Sequence, residues 1–137
     1  VSVSIVDLEK ALRSGVATVD LGMPIALENA SMDRPRNAPW AALHIMPAGS
    51  GAHTLGDGGE DLHVGIMQLD LNYPLMAGEN ASRAKVKSIV EFFRYGRVLV
   101  YGDTSVFVTK CAGPRYREVN GQHRHTLTIS WEARLQR

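Results

Sequence analysis

The chain has 137 residues, 45% apolar and 21% charged, with a formal net charge of +1. That size and mix suit one folded domain, 1–137, with a real core, and scattered Lys and Arg argue against a dedicated nucleic-acid binder, which would show a basic stripe. The single Cys111 rules out an intrachain disulfide, and no apolar run approaches the roughly 18 residues of a membrane span. The start of the chain lacks the basic flank and apolar run of a signal peptide, so the expected setting is a cytoplasm or a particle assembled there.

The first element is a helix expected over residues 4–14, with Ile5, Leu8 and Leu12 as its apolar stripe and Ala11 beside them. Ser4 and Asp7 form a weak capping box at its start, and Gly15 closes it. A short strand is expected over 25–29, entered through Pro24. Residues 31–39 hold two prolines, two arginines, an Asn and an Asp, and read as a loop. Residues 40–46 read as a strand with apolar groups on both faces: Ala41, Leu43 and Ile45 on one, Trp40, Ala42, His44 and Met46 on the other. Residues 47–61 contain five glycines and are expected to form a long loop ending in Glu60 and Asp61.

The centre of the core is expected in the next stretch. Met67, Leu69, Leu71 and Tyr73 alternate with Gln68, Asp70 and Asn72, the period of a half-buried strand that ends at Pro74. The period then changes. Val86, Ile89, Val90 and Phe93 make one stripe of a helix that starts near Asn80 and ends before Gly96. The economical arrangement lays that stripe on the strand's apolar face. Strands are expected at 98–101 and 105–110 around the Gly102-Asp103 turn, with a further turn at Gly113-Pro114. Residues 117–119 and 122–133 flank Asn120-Gly121, a strong hairpin signal. The last strand points His125, Leu127, Ile129, Trp131 and Ala133 inward. The order α-β-β-β-α-β-β-β with hairpin connections indicates an α+β fold: a mostly antiparallel, mixed sheet with two helices packed on one side.

Side chains that could carry chemistry are few. His123 and His125 are two apart on a strand and share a face, but a metal needs a third ligand and none has ligand spacing nearby. Gly49-Ser50-Gly51 is no nucleophile elbow, and Gly56-Asp57-Gly58-Gly59 lacks both phosphate-loop spacing and a following helix. Glu60 and Asp61 point to opposite faces of a strand, so no carboxylate dyad is indicated. Arg94, Arg97, Arg115 and Arg117 are spread over three elements and read as solvated surface or ion-pair partners. Cys111 reads as a partly buried thiol.

Gly65-x-x-Gln68-x-Asp70 with Pro74 and Gly78, followed by a helix closing on Phe93-x-x-Gly96, resembles the phage tail terminator-like proteins. Ala38-Pro39-Trp40, Thr54-Leu55-Gly56 with Gly58-Gly59, and the closing strand from Thr128 to Trp131 agree in order and spacing. The resemblance implies a structural virion protein that caps the head-proximal end of a tail tube as a ring, commonly six-fold, ends tube growth and offers a face to head-completion proteins. It implies no enzyme activity and no cofactor. Its partners would be further copies of itself, the tail tube protein and a head-completion or neck protein, while DNA passes without specific binding. Asp57, Glu60 and Asp61 are candidates for an assembly or lumen loop, where their charge would repel phosphates. Alternatives are a neck or head-tail connector of the same virion, or a small metal-dependent hydrolase using His123 and His125.

Overall fold

The computed structural model describes residues 5–19, 21–27, 38–52, 59–75, 80–119 and 121–136. In chain order the elements are α1 (Ile5–Val19), β1 (Ile25–Ala26), β2 (Trp40–Ala52), β3 (Glu60–Pro74), α2 (Asn80–Phe92), β4 (Val98–Tyr101), β5 (Thr104–Val119) and β6 (Gln122–Gln136). They build an α+β fold around one six-stranded sheet in the order β1-β2-β3-β6-β5-β4. Among the described residues only the β1–β2 pair is parallel; all other neighbours are antiparallel.

Both helices lie on one face of the sheet. Alternate residues of the three central strands point to it: Leu43 and Ile45 from β2, Met67, Leu69 and Leu71 from β3, Leu127, Ile129 and Trp131 from β6. They form one cluster with Leu8, Leu12 and Val16 of α1, Val86 and Ile89 of α2, and Phe93 just beyond it. The opposite face carries a small second cluster of Ala26, Trp40 and Ala42. Of the residues expected in the core, Leu69, Leu71, Val86, Ile89, Phe93, Ile129 and Trp131 are buried. Val90 is not: it is 37% exposed, and the buried line on α2 runs Ser82, Val86, Ile89. Both lines fit helical spacing, and the rotation of α2 on the sheet decides between them.

Several elements are longer than their sequence cues suggested. α1 continues through Gly15 to Val19. A glycine inside a helix costs about 1 kcal/mol, but here the missing side chain admits its neighbours. A Cβ on Gly15 would lie 2.9 and 3.0 Å from the two Leu99 methyls and 3.4 Å from the Phe93 ring. Leu8, Leu12 and Val16, four apart, then bury one continuous stripe.

β2 does not stop at Met46 but runs to Ala52, with a register shift between Pro47 and Gly49. The shift is how a strand accommodates a proline that has no N–H to give. Glu60 and Asp61 already belong to β3, opposite Gln136 and Leu135 of β6. Residues 47–52 and 60–61 of the expected 47–61 loop are therefore strand, and residues 53–58 lie outside the described residues. In the same way β5 absorbs the expected turn at Gly113-Pro114 through a shift between Ala112 and Arg115. Gly113 has φ +112°, and a Cβ there would meet the Thr126 carbonyl oxygen at 2.7 Å.

Candidate assembly surfaces

The open face of the sheet holds a polar seam built from the non-core alternation. The Thr126 hydroxyl donates to Asp70 Oδ1 at 2.7 Å, and the Gln68 amide donates to both Asp70 oxygens at 3.2 and 3.3 Å. His44 Nε2 stands 4.0 Å from Asp70 Oδ2. One step along, Arg124 Nε donates to Asn72 Oδ1 at 2.9 Å, while Asn72 Nδ2 donates to the Trp40 carbonyl at 3.4 Å. The Trp40 indole N–H reaches past β3 to Gln122 Oε1 at 2.8 Å. These bonds join β2, β3 and β6 across the ladder. They also explain how Asp70, only 3% exposed, is tolerated: a buried carboxylate needs donors, and two side chains supply them.

Toward one end of that face the surface becomes apolar. Val98 of β4 lies opposite Phe107 of β5, and both are exposed, as are Val100, Val64 and Met46. Leu99 points the other way, into the core. β4 is the last strand of the sheet, so its outer edge has no strand neighbour among the described residues. At the other end, Arg117 stands directly opposite Arg124, with Arg115 two residues away. Like charges facing across strands are unfavourable. This corner thus concentrates positive charge that the sequence alone had left dispersed. Arg97 is different: its Nε donates to the Phe92 carbonyl at 2.7 Å and its guanidinium lies 4.5 Å from the Phe92 ring centroid, closing the end of α2.

On the helix side, His123 and His125 do share a face, with ring centroids 5.4 Å apart. No group of three or more His, Cys, Asp or Glu able to hold a metal occurs among the described residues. Cys111 is half-buried, and burial pushes its thiol up, away from a reactive thiolate. Of the proposed loop acids, Glu60 is exposed and Asp61 half-buried at the start of β3; Asp57 is outside the described residues. No helix among the described residues is long and apolar enough to cross a membrane.

The family model described as phage tail terminator protein matches residues 7–131. This chain belongs to the phage tail terminator family. It is accordingly a structural protein of phage tails and a component of the virion. Two solved structures support the fold. One, of unstated function, superposes with a TM-score of 0.70 at 14% identity, over 91% of this chain and 94% of that one. The other is a chain from the virion of a native gene transfer agent particle, with a TM-score of 0.54 at 15% identity, over 96% of this chain and 93% of that one. No curated protein matches the sequence.

Proposed function

We propose that this protein closes into a ring on the head-proximal end of a phage tail tube, ends tube polymerisation there and presents a face to the head-completion protein. The observation that carries the reading is the family match across residues 7–131. The surfaces support it. A ring subunit needs two unlike patches that meet head to tail, and this subunit has an apolar edge at Val98, Val100 and Phe107 and a separate basic corner at Arg115, Arg117 and Arg124. The reading gives no catalytic role to any residue and needs no cofactor.

In this reading Glu60 and Asp61 at the start of β3 face the lumen, where their negative charge, with that of Asp57, lets DNA slide past. The test is electron microscopy of the protein with tube ends supplied, on the parent and on a variant with Asp57, Glu60 and Asp61 all changed to Lys. The parent forms rings. The triple variant also forms rings but retains DNA in a salt-dependent way. Rings that fail to form in the variant alone would move those acids to a subunit interface. Absence of rings in the parent at any concentration would overturn the terminator role itself.

A further inference from the structure

The two ends of β5 carry surfaces of opposite kind. Toward its C-terminal end Arg117 stands directly opposite Arg124 of β6, and Arg115, opposite Thr126, shares their face. Side chains directly opposed across strands lie about 4.5–5.5 Å apart at Cβ, so the two guanidinium groups repel each other. Arg124 is held in place by the bond from its Nε to Asn72 Oδ1, and Asn72 is only 1% exposed. Arg115 and Arg117 are exposed, and no ion pair among the described residues involves any of the three arginines. The carboxylates nearest in register are otherwise placed. Asp70 is buried and takes its donors from Thr126 and Gln68, while Glu118, opposite His123, alternates to the other face. The corner is thus a partly preorganised set of guanidinium forks whose repulsion an incoming carboxylate relieves.

At its N-terminal end β5 follows the two-residue Gly102-Asp103 turn from β4, with Gly102 at φ +58°. Asp103 is exposed at the tip and makes no ion pair among the described residues. Of the cations toward this end, Lys10 lies over the Tyr101 ring at 5.3 Å, and Arg134 is exposed near the end of β6. Beside the turn stand the exposed Val98, Val100 and Phe107. A carboxylate accepts the N–H fork of an arginine, an aromatic ring accepts its face, and apolar surface accepts its stem. At roughly 3.3 Å per residue, about 45 Å of strand separates Asp103 from Arg117. The two surfaces therefore cannot meet within one chain. Two copies arranged head to tail bring them together, and that relation closes a ring. β4 pairs with β5 only as far as Phe107. Past it Pro114 and the register shift keep the open edge of β5 from taking a strand, so contact at the basic corner runs through side chains.

We infer that the corner of Arg115, Arg117 and Arg124 on one copy docks on the Asp103 turn and Phe107 of the next, guanidinium to carboxylate. The inference rests on the ring reading above and names its contact. The test is electron microscopy of the whole protein with tube ends supplied. It compares the parent, Asp103→Arg, the pair Arg115→Glu with Arg117→Glu, and a chain carrying all three substitutions. The three positions are exposed, and matching far-UV circular dichroism verifies that the variants fold. Asp103→Arg and the arginine pair each bring like charges together, and each should form about tenfold fewer rings than the parent. The chain with all three restores opposite charges at every contact and should recover rings to within about threefold of the parent. Rescue of that kind arises between copies, because the sites are too far apart to meet in one chain. Undiminished ring formation by either charge-reversed variant, or no recovery in the combined chain, would overturn this contact and leave the ring reading in place. A parent that forms no rings would remove both. Duplex DNA held by the parent and released by the Arg115→Glu, Arg117→Glu variant would overturn it too, in favour of a phosphate contact.

Discussion

Gly65 offers a sharp test of the packing. It lies on the core face of β3, opposite Trp131 of β6 and Pro47 of β2. A Cβ there would sit 2.5 Å from Trp131 Cζ2, 2.7 Å from the Met46 carbonyl oxygen and 3.0 Å from Pro47 Cα. The indole is 2% exposed and has little room to tilt. The other two atoms are backbone of the neighbouring strand and move only if the ladder opens. An extra methyl in a packed core costs about 1–3 kcal/mol, and backbone obstacles put Gly65→Ala at the upper end. The lower chain entropy of alanine returns about 0.4–1 kcal/mol, leaving a net loss of about 2–3 kcal/mol. At about 3–4 °C per kcal/mol for a chain of this size, Tm should fall by about 6–12 °C. Thermal unfolding followed by tryptophan fluorescence measures it. Gly51→Ala is the control, because nothing lies within 4 Å of a Cβ at that position; it should stay within about 0.5 kcal/mol of the parent. If Gly65→Ala melts together with the control, Trp131 does not lie over Gly65 and the account of this motif glycine is wrong.

Phe93, fully buried beside Gly15 of α1, should cost about 3–5 kcal/mol when truncated to Ala; a Tm within a degree or two of the parent would show that α2 is wrongly seated. Asp70→Ala removes the acceptor of both Thr126 and Gln68 and should cost about 1–3 kcal/mol in denaturant unfolding. Asp70→Asn keeps an oxygen for Thr126 and should cost less, so the reverse order would contradict the seam. Burial raises the Cys111 thiol above its unfolded value, so its neutral form is favoured on folding. That contribution is full below the unfolded pKa and is lost as pH rises through the folded one. Iodoacetamide should therefore label the native protein more slowly than the unfolded chain at mildly alkaline pH, and equal rates would refute the burial.

The parts of the fold legible in the sequence are those where one face is buried and the period is unbroken. β6 alternates from His125 to Ala133 without a gap, and β3 from Met67 to Tyr73, so their inward faces could be read directly. Legibility failed where a strand or helix breaker is accommodated by tertiary structure. Pro47 and Gly113-Pro114 read as loop and turn, yet the ladder continues past both through register shifts. Gly15 read as a stop, yet its bareness is what lets Leu99 approach α1. The Gly65-x-x-Gln68-x-Asp70 signature was visible only as spacing. In the folded chain Gly65 clears space for Trp131 on the core face, while Gln68 and Asp70 hold the seam on the other. The surroundings of the histidine pair were half legible. His123 and His125 declare a shared face by their spacing, but Arg83 joins them only because α2 folds back over the β5–β6 end, which no local pattern encodes.

Whether this protein is a terminator is decided by the growth of the tail tube itself. Purified tube protein is polymerised with and without this protein, and tube lengths and ends are recorded by electron microscopy. Tubes should stop growing and stay shorter than those grown without it, with a ring of this chain seated on one end of each. Tubes that grow at an undiminished rate with both ends bare would contradict the terminator role.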